Sequence, residues 1–259
     1  IDSRLQGKMY ESIETLAGEI GYLGGAGLVV DIASGELLVA TSFPEYDSET
    51  LSTGSDRESI NAFIADPNKP FLNRAVGGLY SSGSTVKPFI ALGALNENII
   101  NANTTVYSSG EIRVPNPYNK ELFTVFRDWK KGGHGTTDVT KAIAESVNTF
   151  FYAIGGGYEG QAGLGISRIE KYIKLFEIGD KTGVDILGEV SGVVPGPEWK
   201  KKVFDGDAWR LGDTYNTSIG QYGFQTTPVQ MLRAISAIAN NGTLVTPHVV
   251  LEKKMESVA

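Results

Sequence analysis

Apolar residues recur at helical spacing in Met9, Ile13, Leu16 and Ile20, which predicts a helix over residues 8–20. Two apolar runs follow, residues 27–32 and 36–40, on either side of a polar turn at Ser34-Gly35. Such runs around a short glycine-containing turn predict a β-hairpin. Residues 41–80 show no period and carry Pro44, Pro67 and Pro70, so a long irregular segment is expected, of a kind more often functional than ornamental. The pattern turns apolar again over residues 84–95, a helix with Pro88 in its tolerant first turn. A polar, aromatic stretch fills 104–135. A third helix is expected from Thr137 to about Ile154, with Asp138 in its first turn and Gly155-Gly156-Gly157 ending it. Ile169, Tyr172, Ile173 and Phe176 predict a helix over 166–178, and residues 228–240 a last one closed by Asn241-Gly242. There is no internal repeat and no low-complexity tract. Helices outnumber strands and the hairpin precedes them, which is α+β order, not alternating βαβ.

Composition narrows the class. The chain has 259 residues, enough for one enzyme core with insertions. A formal charge of −7 argues against a nucleic-acid partner, because neutralising phosphates takes clustered Lys and Arg. The absence of cysteine removes disulfides, thiolate nucleophiles and the usual zinc frameworks. No apolar run reaches 18 residues, so no membrane-spanning helix is expected. Residues 1–5 carry no signal-peptide pattern, and any export or anchoring signal is expected upstream.

Two short patterns carry candidate chemistry. In Ser84-Thr85-Val86-Lys87-Pro88, a serine and a lysine three apart share a helix face, so the amine can reach the hydroxyl. A serine hydroxyl is a poor nucleophile until a base removes its proton, and a helix amino end offers N–H groups to an oxyanion. On spacing alone the better reading is Ser84 as an N-cap and Lys87 as a solvated lysine. In Ser146-Val147-Asn148, two polar residues two apart point into one cleft only where the helix ends or yields to a loop. Ser146 then offers a proton relay and Asn148 a carboxamide for a substrate amide. Taken alone, this pair too reads as ordinary polar helix residues. Asp128 and His134 are possible metal ligands, but two without a cysteine or a second histidine nearby are too few. A hydrogen-bonded pair lining the cleft is the better reading. Trp129, Phe126, Tyr118 and Phe123 either wall a substrate groove or belong to the core.

With their surroundings, these residues resemble the penicillin-binding protein and serine β-lactamase superfamily, whose motifs are S-x-x-K, S-x-N and K-T-G. Ile1-Asp2 with Leu5-Gln6, the hairpin from Val30 to Ser42, Asn73-Arg74-Ala75 and the segment 83–89 are similar to class B transpeptidase domains. So are Thr182-Gly183-Val184-Asp185 and the segment Gln225 to Gln230. Arg127-Asp128-Trp129-Lys130 with Gly133-His134-Gly135 resembles the elongation-type branch, the penicillin-binding protein 2 group. The resemblance implies an α+β penicillin-binding transpeptidase fold of the serine β-lactamase type, with helices packed on an antiparallel sheet. It implies Ser84 as acylated nucleophile, Lys87 as general base, and Ser146 and Asn148 as the second motif. The Ser84 N–H would form half of an oxyanion hole, and Asp128, Trp129 and His134 would line the substrate site.

The implied activity is that of a peptidoglycan D,D-transpeptidase, which forms an acyl-enzyme with D-Ala-D-Ala stem peptides and is acylated by β-lactam antibiotics. A β-lactam-binding sensor of the same superfamily is the alternative. A β-lactamase needs a residue activating a deacylating water, and none is identifiable. No cofactor and no metal are implied. A membrane-embedded glycosyltransferase partner and the extracytoplasmic face of a bacterial membrane are.

The third motif departs from the pattern. Lys181-Thr182-Gly183 is the only Lys-Thr-Gly, but its Thr-Gly-Val-Asp continuation matches a family segment that lies before the catalytic strand. Lys181 is therefore not expected in the site. The catalytic strand belongs beyond the helix at Thr227-Pro228, and the chain is expected to stop at Ala259 before it, as one partial transpeptidase domain over 1–259. It would then supply two of the family's five central strands and lack part of the oxyanion hole. At residues 219–223, Ile-Gly-Gln-Tyr-Gly stands where relatives read Gly-Gln-Gly, which predicts an altered turn.

Overall fold

The structure, a computed structural model, describes residues 1–116, 119 and 121–251; Tyr118 lies outside them. Those residues form two compact units, one built from the described parts of 1–80, 176–192 and 226–259, the other from those of 81–175 and 193–225. The first unit opens with α1 (Ser3–Ile20), five residues earlier than its apolar period. The reason is Asp2, whose carboxylate accepts from the Arg4 and Leu5 amides as an N-cap. Strands β1 (Gly25–Val30) and β2 (Leu37–Phe43) pair antiparallel as the expected hairpin. Here glycine is a packing requirement: a Cβ at Gly27 would sit 2.4 Å from Met9 Cγ on α1.

The expectation of an irregular segment over 41–80 is corrected. It holds α2 (Ser48–Thr53), α3 (Arg57–Ala65) and α4 (Arg74–Gly77), capped by Asp47, Asp56 and Asn73. Pro44 precedes α2, and Pro67 and Pro70 lie between α3 and α4, so the prolines punctuate the segment without unravelling it.

The second unit begins with a 3-10 turn, Gly83–Val86, running straight into α5 (Lys87–Asn96). The polar stretch after it forms two small antiparallel pairs that carry too few residues to show a period. Strand β3 (Val106–Ser108) pairs with β6 (Gly135–Thr137), and β4 (Glu111–Pro115) with β5 (Phe123–Arg127). The single helix expected over 137–154 is two, α6 (Val139–Ala144) and α7 (Asn148–Gly156), broken at Ser146, whose φ is +54°. Then come α8 (Ile166–Leu175), α9 (Pro197–Val203) and α10 (Leu211–Ser218). Helix α7 is the axis of this unit: Phe150, Phe151, Ala153 and Ile154 have no exposed surface. The chain finishes in the first unit with α11 (Pro228–Ala239). Thr227 and Gln230 cap it reciprocally, as the sequence Thr-Pro-Val-Gln favours.

Candidate active site

Ser84 lies on the exposed side of the 3-10 turn. The turn is pinned through the backbone: Gly83 N–H and Ser81 Oγ both donate to the Gly220 carbonyl, at 2.9 and 2.8 Å. Gly220 has φ +70°, and a Cβ there would meet Gly83 O at 2.2 Å, so no other residue allows this approach. In the neighbouring turn Tyr222 has φ +60° and is held against Trp199, Trp209 and Phe204.

Lys87 is the first residue of α5 and only 2% exposed. Its Nζ donates to Asn148 Oδ1 at 2.6 Å, to Ser146 O at 2.8 Å and to Ser146 Oγ at 3.0 Å. Ser146 Oγ in turn lies 2.8 Å from Ser84 Oγ. Burial lowers the Lys87 pKa to about 8, against an opposing pull from the Asp128 carboxylate. This corrects one detail of the spacing argument: the amine does not bond the Ser84 hydroxyl directly but reaches it through Ser146. The 3-10 geometry that joins the two residues is tighter than the α-helical face assumed from the sequence.

Ser146 and Asn148 converge because the chain turns between them. Helix α6 stops at Ala144, Ser146 adopts a left-handed conformation, and α7 restarts at Asn148 with Val147 buried beneath. Both polar side chains therefore face Lys87, as a pair two residues apart cannot within one helix.

Asp128, Trp129 and His134 lie together, with Trp129 packed edge-on to His134. Asp128 and His134 have side chains 0% and 1% exposed. Their bond to each other is present, His134 Nε2 to Asp128 Oδ1 at 3.3 Å. Asp128 Oδ2 also accepts from the Thr149 amide at 2.9 Å and Thr149 Oγ1 at 3.1 Å. Trp129 is 65% exposed and lines an open pocket of about 580 Å³ with Glu111, Arg127 and Lys131. Phe126 is half-buried and packs edge-on to Tyr152 and Tyr215, while Phe123 is half exposed. Among the described residues, no group of three or more His, Cys, Asp and Glu is arranged to hold a metal. Glu145 and Thr149 were missed by sequence reasoning. Thr149 adjoins the second motif, but Glu145 carries no local signal, since only the fold brings it to His134.

Lys181 belongs to the first unit and the Ser84 cluster to the second. Its motif has a structural role there: the Thr182 amide and hydroxyl and the Gly183 amide all donate to the Glu189 carboxylate, at 2.6, 2.6 and 3.1 Å.

An exposed serine hydroxyl, a relay serine and a buried lysine of lowered pKa make a constellation suited to serine acyl transfer without a histidine. The model of the penicillin binding protein transpeptidase domain matches residues 25–257, and the chain belongs to that family. It is 37% identical over 94% of its length to peptidoglycan D,D-transpeptidase MrdA of Escherichia coli, and 39% identical over 88% to that of Haemophilus influenzae. It covers 36% and 33% of those proteins, about a third of their length. Among solved structures, penicillin-binding protein 2 of Helicobacter pylori superposes with a TM-score of 0.79 at 40% identity, over 89% of this chain and 41% of that one. Penicillin-binding protein 2 of Pseudomonas aeruginosa, in complex with WCK 5153, gives 0.78 at 31% identity, over 87% and 49%. The fold is the penicillin-binding transpeptidase fold, and its branch is that of penicillin-binding protein 2.

Proposed function

We propose that this chain is the acyl-transfer domain of a peptidoglycan D,D-transpeptidase. The observation that carries the reading is the hydrogen-bonded chain from Lys87 through Ser146 to Ser84. In its neutral form Lys87 accepts the Ser146 proton while Ser146 takes that of Ser84. The freed Ser84 oxygen attacks the carbonyl between two D-alanines of a stem peptide. The terminal D-Ala leaves as an amine after taking a proton back along the same relay. An amine on a neighbouring strand then attacks the ester and regenerates Ser84. Asn148 is placed to orient the substrate amide, although its Oδ1 already bonds Lys87, leaving its NH2 for the ligand. The Ser84 N–H lies in the first turn of its helix, where amides commonly lack intrahelical partners, and suits a developing oxyanion.

β-Lactams acylate the same serine in this reading, and the domain works on the extracytoplasmic face of the membrane. A penicillin-binding protein 2 related to this chain has been solved in complex with MreC, and another match is a peptidoglycan synthase complex. A membrane-embedded glycosyltransferase is accordingly the expected partner here. The test is intact-mass and peptide mapping of the full-length protein after penicillin treatment. One adduct on Ser84, absent from Ser84→Ala, is expected; an adduct elsewhere with Ser84 clean would end the assignment. Adduct formation without cross-linking turnover would identify a sensor instead.

A further inference from the structure

Ser146 carries the relay, yet it sits at φ +54°, a left-handed conformation that non-glycine residues seldom adopt. Something must hold it there. The residues on both sides of it are gripped from a single segment, 127–135. On the preceding side, Glu145 Oε2 lies 2.7 Å from His134 Nδ1, and the Glu145 carbonyl accepts from Trp129 Nε1 at 3.2 Å. On the following side, the Thr149 amide and hydroxyl donate to Asp128. His134 joins the two grips through its other nitrogen, 3.3 Å from Asp128 Oδ1. The segment is itself fixed, since the His134 amide donates to Ser108 O and Oγ, and Ser108 Oγ lies 2.7 Å from Thr149 Oγ1. Lys141 of α6 reaches back to His134 O at 2.6 Å.

We propose that Glu145, bound to His134, is a positioning residue for acyl transfer: with Trp129 and Asp128 it clamps the turn that aims Ser146 and Asn148 at Lys87. Its catalytic consequence rests on the acyl-transfer reading above; the clamp itself does not. Glu145 touches neither Ser84 nor Lys87, so it acts only through the turn. Its side chain is 42% exposed, and trimming it removes a grip without opening the core.

The test compares Glu145→Ala and Glu145→Gln with wild type in the full-length protein. Glutamine keeps an oxygen for His134, so it is the conservative partner. Stopped-flow reaction with a chromogenic cephalosporin separates noncovalent binding from the acylation rate. For Glu145→Ala the acylation rate is expected to fall at least about tenfold with binding unchanged, because small misplacements of a reacting group are that costly. Glu145→Gln is expected to stay within about threefold of wild type. Hydrogen exchange of peptides covering 143–150 is the second arm, and it needs no catalysis. The alanine variant should exchange there at least about fivefold faster, with melting temperature and other peptides little changed. Unchanged protection at 143–150 overturns the clamp, and faster exchange with an unaltered acylation rate overturns its role in the reaction. If the wild-type protein takes no adduct on Ser84, the acyl-transfer reading fails, and hydrogen exchange alone decides the clamp.

Discussion

A lysine free in water keeps its proton until about pH 10.4. Lys87 gives it up near 8, because burial penalises the ammonium more than Asp128 supports it. The sign follows for a base: only the neutral amine works, and its share rises with pH. Acylation of Ser84 by a β-lactam should therefore climb between pH 6 and 9 with a midpoint near 8, while noncovalent binding stays flat. A rate with no inflection in that range would remove Lys87 from the proton path. Lys87→Ala should slow acylation by roughly a hundredfold or more, the usual worth of a positioned base. An unchanged rate in stopped-flow would exclude the lysine as firmly. The identities of Ser84, Lys87, Ser146 and Asn148 were legible because their spacing and flanks are local. The route between them was not. It depends on a left-handed residue at 146, and serine gives no sequence sign of that conformation.

At the scale of elements, the long apolar periods of α8 and α11 and the hairpin of β1 and β2 were readable. Strands β3 and β6, three residues each, were not, since so short a run has no measurable alternation. The break between α6 and α7 was hidden by continuous helix formers on both sides. Its hint was functional: Ser146 and Asn148 share a cleft only if the helix yields. The glycines ending α7 read as a terminator but also do packing. A Cβ on Gly155 would lie 2.5 Å from Ser218 Cβ on α10, and Ser218 Oγ is already committed to the Phe151 and Tyr215 carbonyls. Overpacking of this kind costs about 1–3 kcal/mol, more than the ~1 kcal/mol that alanine returns to a helix. Gly155→Ala should lower the melting temperature. Gly7→Ala in α1, where nothing lies within 4 Å, should hold or raise it. Calorimetry of the two variants side by side separates packing from propensity; equal shifts would contradict the close approach of α7 and α10.

Across the whole molecule, acidic side chains serve as fasteners more than as a surface charge. Asp2, Asp47 and Asp56 cap helices, Asp31 closes the hairpin turn, and Glu97 and Asp207 bond nearby lysines. Glu145 bonds His134, and Asp185, despite some burial, receives the Val249 and Val250 amides. Each of these carboxyls is held below its ordinary pKa by those bonds. A depressed folded pKa gives stability that is complete above the unfolded pKa and is lost as pH falls through the folded value. Glu170 runs the other way, raised by burial, and offsets a small part. The melting temperature should thus be level between pH 6 and 8 and decline from about pH 5 towards 3. A rival cause predicts a similar curve: with a pI near 5.0, the chain becomes net positive below that point and repels itself. Salt tells the two apart. Repulsion between exposed charges is screened over less than about 10 Å above 0.1 M salt, whereas a protonated cap has lost its bond at any ionic strength. The decline should therefore persist in about 0.5 M sodium chloride. If salt flattens it, the carboxylates are a charge cloud and not the fasteners their hydrogen bonds describe.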